Sequence, residues 1–140
     1  MADNVEIVHK MYGCFKSGDM ETLRNEVIAE DVIWDVPGHH PLAGTKHGVG
    51  EVLAFFGRLR ALGAQVQPLG MGELSNGAVA EIYQAHGEAN GAKLEAFNCN
   101  YYIIRDGKIA EVRVLMGDQH NYDAFVWAGV PLKPLPDRLA

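Results

Sequence analysis

Apolar residues recur at helical spacing at Val5, Val8, Met11, Tyr12 and Phe15, behind Asp3 and Asn4 as candidate caps, with Glu6 three positions beyond Asp3 as in a capping box. The pattern predicts a first helix that runs to about Ser17 and ends at Gly18. Asp19 is placed to cap a short second helix with Met20, Leu23 and Val27 on its apolar side. The run Asp31-Val32-Ile33-Trp34-Asp35-Val36 reads as a short strand closed by the turn signal Pro37-Gly38, and a loop rich in Gly, His and Pro follows to Gly48. Val49, Val52, Leu53, Phe56, Leu59 and Leu62 then form one apolar stripe, a third helix that Gly63 can terminate. Beyond Gly63 the period drops to that of strands. Segments at about 64–74, 78–89, 92–105 and 108–117 are separated by Asn76-Gly77, Asn90-Gly91 and Asp106-Gly107, pairs that favour tight hairpin turns, so an antiparallel four-stranded meander is expected. A last short helix spans about 118–127, before an irregular tail with Pro131, Pro134 and Pro136.

Helices that precede a long curved antiparallel sheet make the class α+β. A bent sheet wrapped over N-terminal helices forms a cone, and a cone of this size leaves a pocket at its open end. The chain divides into a single domain over 1–128 and a Pro-rich C-terminal tail over 129–140.

Composition narrows the functions. With 140 residues there is room for one core and no separate cofactor domain. At 48% hydrophobic and 21% charged the chain has ample material for that core. Its 12 Lys+Arg against 18 Asp+Glu give a net charge of -6, without a basic run, so nucleic acid is not an expected partner. No stretch approaches the ~20 apolar residues of a membrane span, and the N-terminus resembles no secretory signal. A cytoplasmic protein is expected. Cys14 and Cys99 fall in no CxxC and read as reduced core residues, with a disulfide left open. His39, His40, His47, His86 and His120 show no metal-ligand spacing, so neither a metal nor a cofactor is expected.

The element order, with Trp34-Asp35-Val36-Pro37-Gly38, then Pro41-Leu42-Ala43-Gly44-Thr45 and the helix from Gly48 to Leu62, resembles the nuclear transport factor 2-like superfamily. Its closest pattern is the SnoaL-like and ketosteroid isomerase-like branch, and the resemblance runs from the Tyr12 region to Ile109. It implies a cystatin-like α+β barrel with an apolar pocket, a small hydrophobic substrate or ligand, and acid–base chemistry of the isomerase or polyketide-cyclase type, with no cofactor. In ketosteroid isomerases a carboxylate base moves a proton while two donors hold the enolate oxygen. By resemblance, Asp35 at a strand end takes the place of the base, or else simply anchors the turn that follows. Asn100 takes the place of a donor acid, a departure that still leaves an NH₂ group for an oxyanion. Tyr12 falls one residue from the isomerase tyrosine, and either reaches the pocket or packs as a core residue. Asp118 is a candidate late acid/base, as in SnoaL-like cyclases, or the cap of the last helix.

Alternation puts Asn98, Asn100 and Tyr102 on one face of their strand, either toward the pocket or toward solvent, and Val114 and Met116 on the matching parity of the last strand. With Met11, Trp34, His40, Phe56, Leu59 and His120 these complete the candidate substrate-binding set. His120 reads as a proton shuttle or a surface residue. Two other function classes stay open: a non-catalytic small-ligand-binding domain, and a hydrolase or dehydratase using carboxylate-activated water. The resemblance also implies a homodimer through the sheet, with Tyr83, Tyr101 or Arg113 in the interface.

Overall fold

In the computed structural model, which describes residues 3–130, helix α1 spans Asn4–Ser17. The Asp3 side chain accepts the Val5 N–H at 3.0 Å, and Gly18 at φ 76 closes the last turn in the left-handed region. Asn4 lies inside the helix, where its amide donates to the Gly77 carbonyl at 2.8 Å. A one-turn helix α2, Met20–Thr22, is capped by Asp19 and runs into a π-helical turn, Leu23–Val27, which buries Leu23 and Val27. Strand β1 (Ile28–Val36) and strand β2 (Gly44–His47) follow, then helix α3 (Val49–Ala61). Strands β3 (Gln65–Glu73), β4 (Val79–Ala89), β5 (Ala92–Arg105) and β6 (Lys108–Met116) form the meander, and helix α4 (Gln119–Gly129) closes the domain.

All six strands make one sheet in the order β2-β1-β6-β5-β4-β3. The hairpins β4–β5 and β5–β6 turn on Asn90-Gly91 and Asp106-Gly107, with positive φ at all four residues as a type I′ turn requires. Register shifts at Pro68/Gly70, at Ile103/Ile104 and between Ile28 and Ile33 bend the sheet, since an unpaired residue on one strand increases local curl. The α+β class and the curved, open, mostly antiparallel sheet agree with the sequence pattern.

Three details differ from that pattern. The sheet is not wholly antiparallel: β1 lies parallel to β6, because the meander returns its last strand beside the first in the same direction. Residues 44–47, expected as loop, pair with β1 as an edge strand whose side chains are mostly exposed and show no apolar alternation. Cys99 is half-buried on the outer face and not in the core; Cys14 is buried, and both are free thiols. The expected tail falls largely at 131–140, outside the described residues. Among the described residues, no helix is long and apolar enough to cross a membrane.

The core sits between the inner face of the sheet and α1, α3 and α4. Val32, Trp34 and Val36 of β1, Val112 and Val114 of β6, and Phe125 and Val126 of α4 are all buried. Phe125 has no exposed surface, and burial of such a side chain contributes about 1.5–3 kcal/mol.

Candidate functional site

The inner face of the sheet does not fill completely. Between it and helices α1 and α3 lies a cavity of about 300 Å³, with a largely apolar wall that includes Met11, Phe15, Trp34, Phe56, Leu59 and Val114. Phe15, Phe56, Trp34 and Tyr102 stand edge to face in succession, with ring centroids 4.6, 4.8 and 6.3 Å apart, the arrangement that aromatic quadrupoles favour. Arg60, Gln65 and Val66 are the exposed lining residues and mark the mouth.

Polar groups enter this wall from β4 and β5. In register, Glu81 faces Asn100 and Tyr83 faces Asn98 across the two strands, all with inward parity. The Tyr83 hydroxyl donates to Asn100 Oδ1 at 3.1 Å, Asn100 Nδ2 donates to Tyr102 Oη at 3.1 Å, and the Tyr102 hydroxyl donates to Glu81 Oε1 at 2.7 Å. This chain ends on a carboxyl group with 0% exposure whose second oxygen, Oε2, has no partner among the described residues. Burial therefore raises the Glu81 pKa above the usual carboxylate value, against the lowering effect of its phenol and amide neighbours. Tyr12 stands against the same carboxyl. Its phenol is pushed far up, first by burial and then by the Glu81 charge, so it stays protonated. Burial also raises Tyr102 and Tyr83, and takes Tyr122 to about 12.

A second asparagine is set differently. Asn98, a lining residue, is 3% exposed; its Oδ1 accepts the Gly117 N–H at 3.2 Å, while its Nδ2 is buried beside the Tyr83 side chain. Gly117 passes so close to β5 that a Cβ there would run into the Phe97 carbonyl oxygen.

The structure thus brings Met11, Tyr12, Trp34, Phe56, Leu59, Asn98, Asn100, Tyr102, Val114 and Met116 to one cavity. Four candidates lie elsewhere. Asp35 points to the opposite face of β1 from Trp34 and Val36, because side chains alternate along a strand; there the Thr45 hydroxyl donates to its Oδ1 at 3.0 Å. Asp118 lies beyond the end of β6 and caps α4, accepting the Asn121 N–H at 3.0 Å. His120 is exposed on the first turn of that helix. His40 is buried behind Tyr122, its Nδ1 accepting the Leu42 N–H at 3.1 Å, and desolvation lowers its pKa so that it stays neutral. Replacing Asp35 by Asn is accordingly expected to change melting free energy by no more than about 0.5 kcal/mol and to leave any turnover intact, measured by thermal denaturation and initial rates.

Glu81, Tyr83, Tyr122 and Phe55 were not anticipated as site residues. For Glu81 the signal was available: it sits between Val79 and Tyr83 on the apolar parity of β4. Among the described residues, no group of three His, Cys, Asp or Glu side chains is arranged to hold a metal ion.

A curved sheet that packs over helices around a largely apolar cavity with a buried polar floor is a cystatin-like, NTF2-like fold. The chain belongs to the SnoaL-like family, whose domain model matches residues 8–112. An uncharacterized protein of Mycobacterium tuberculosis is 27% identical over 128 residues, covering 89% of this chain and 96% of that protein. Bal32a, from a soil-derived mobile gene cassette, superposes with a TM-score of 0.81 at 28% identity, over 89% of this chain and 96% of that one. IdmH of Streptomyces antibioticus, named as a candidate polyketide cyclase, has a TM-score of 0.67 at 22% identity, over 87% and 95%, a likeness in fold alone.

Proposed function

We propose that the protein is an acid–base enzyme of the isomerase or polyketide-cyclase type, acting without a cofactor on a small apolar carbonyl compound. Tyr102 and Tyr12 meet the substrate oxygen, and Glu81 governs the proton on Tyr102. The observation that carries this reading is a fully buried carboxyl, hydrogen-bonded to a phenol that lines a largely apolar cavity. A tyrosine oxygen can accept two hydrogen bonds and donate one. When Glu81 is ionised, the Tyr102 proton is held on Oε1. When Glu81 is protonated it becomes a donor, Asn100 Nδ2 supplies a second, and Tyr102 is free to turn its own proton toward a carbonyl oxygen in the cavity, while the α-proton leaves to a solvent base admitted at the mouth and is replaced from solvent as the enolate returns to the ketone. The raised pKa of Glu81 extends this donor state toward neutral pH.

The experiment uses α-tetralone in heavy water. Deuterium incorporation next to the carbonyl, read by mass spectrometry, is expected to exceed the buffer rate with the wild-type protein and to fall with Tyr102→Phe. Binding without incorporation would overturn the enzyme reading in favour of a ligand-binding domain. That second reading has its own support, since among the described residues no Asp, Glu or His lines the cavity. The same fact weighs against hydrolysis by carboxylate-activated water.

Assembly is part of the proposal. On the outer face Ile82, Cys99 and Leu115 form one row across β4, β5 and β6, and Phe97 beside them is 60% exposed. Exposed apolar patches of this kind are association surfaces. Glu111 and Arg113, paired at 3.2 Å, offer both signs of charge next to the row, which suits a second copy related by a two-fold axis. Tyr83 faces inward and takes no part. Sedimentation equilibrium is expected to give a dimer for the wild-type chain and a 15.3 kDa monomer for Phe97→Lys.

A further inference from the structure

We infer that Arg60 determines specificity at the cavity mouth, and that the compound taken there carries a carboxylate that stays at the rim while its apolar rings enter. The inference rests on the cavity being the substrate site of the proposed function. It adds a charged group to that substrate and leaves the carbonyl oxygen to Tyr102 and Tyr12. Among the described residues, Arg60 is the one formally charged side chain that lines the cavity. It is exposed, and none of the ion pairs among the described residues includes it. One of its N–H groups donates to the carbonyl of Phe15, another lining residue, at 3.4 Å, which holds the guanidinium across the rim from α3 toward α1. A guanidinium has five N–H donors in a planar fork, so most of them remain for a ligand. The backbone beneath is fixed as well. The Arg60 carbonyl accepts the Gly63 N–H at 3.0 Å, the Leu59 carbonyl accepts the Ala64 N–H at 3.2 Å, and Gly63 at φ 79 turns the chain from α3 into β3.

The inner wall excludes the charge that the mouth admits. It consists of apolar groups, side-chain amides and phenols that burial keeps protonated, and a carboxylate pressed against them would lose its hydration without meeting a cation. At the rim the same group keeps water on one side and meets the guanidinium on the other. The arginine fork matches the two oxygens of a planar carboxylate, which adds direction to the attraction. Charge balance favours a single negative charge. The chain has a net charge of -6, so a doubly charged phosphate facing one arginine would keep an uncompensated repulsion, whereas a carboxylate is matched one to one. Lys46 and Arg58 line a separate depression together with Glu51 and are not on the cavity wall. The expected substrate is therefore an amphipathic acid, with a ring-sized carbonyl-bearing body inside and one carboxylate on the side that faces solvent.

Calorimetry with naphthylbutanoate and naphthylbutanamide tests the assignment, because the two share rings and arm and differ in charge. The flexible arm lets the charged end reach the rim however the rings are seated. At low salt the wild-type protein is expected to bind the acid about three- to tenfold more tightly than the amide. That preference is expected to shrink between about 0.01 and 1 M salt, over which the screening length falls from ~30 to ~3 Å. Arg60→Gln is expected to lose or reverse the preference, since the net charge of the chain then repels the acid, and Arg60→Lys to retain part of it. Equal affinities in the wild type, binding of neither probe, a preference that salt leaves unchanged, or one that survives Arg60→Gln would overturn the inference. The salt series uses the wild-type chain alone, so it stands whether or not a variant folds. Failure of the catalytic reading looks different, since Tyr102→Phe would then leave deuterium incorporation unchanged while the preference for the acid persisted.

Discussion

Glu81→Gln is expected to remove the pH dependence of turnover while ligand affinity changes little. Glutamine keeps the shape, and its NH₂ group can donate to the Tyr102 oxygen at any pH, as the protonated carboxyl does. The pH profile separates this from simple damage. In the wild type, activity needs Glu81 protonated, so it is expected to fall as pH rises through the raised folded-state pKa. The glutamine variant is expected to show a flat profile at about the rate the wild type reaches in acid, and so to be the faster of the two at high pH. Stability gives a second reading with a worked sign. A carboxyl whose folded pKa lies above its unfolded value favours the fold at low pH and loses that contribution as pH rises through the folded pKa. Glu81→Gln is therefore expected to melt higher than the wild type at pH well above the carboxylate range and no higher in acid. A uniform loss of stability at every pH would show that Glu81 is held for packing alone.

Gly117→Ala is expected to destabilise the protein by about 1–3 kcal/mol, the usual cost of forcing extra volume into a packed position. The added Cβ meets the Phe97 carbonyl, part of the backbone, which cannot step aside as a side chain would. Denaturant titration reads the stability. The same substitution pushes the Gly117 N–H away from Asn98 Oδ1, so the Asn98 side-chain amide is expected to lose its fixed orientation, read as a shift of its amide proton resonances. A stable Gly117→Ala protein with unmoved resonances would show that Asn98 is oriented by something other than this contact.

Much of this arrangement was legible from period alone. Strand alternation puts Asn98, Asn100 and Tyr102 on one face, and the apolar stripe of α3 carries Phe56 and Leu59 to the same space. The same rule excludes Asp35 from a pocket that contains Trp34, since neighbours on a strand face opposite ways; the resemblance to isomerases overrode that parity. Glu81 failed to stand out for the opposite reason. An ionisable residue in a strand reads as a surface residue, and its burial depends on Tyr102 and Asn100, which are distant in sequence and adjacent only through the β4–β5 register. Partner and direction of β1 were beyond any local signal, because alternation identifies a strand without saying which strand lies beside it. The edge strand β2 left no trace, with four residues of which none is fully buried.

The two sheet borders bear on how the molecule associates. On one side the border is β2, only four residues long; on the other it is β3, exposed along most of its length and interrupted by Pro68, Gly70 and Gly72. A short border and a proline-broken one are poor templates for adding a further strand, so growth of the sheet into a continuous ribbon is suppressed at both ends. The proposed two-fold pairing would then leave association to the broad outer face, where it uses up the patch and stops at two. The short and proline-broken borders thus also count against polymerisation of a sheet-rich protein through its own hydrogen bonds.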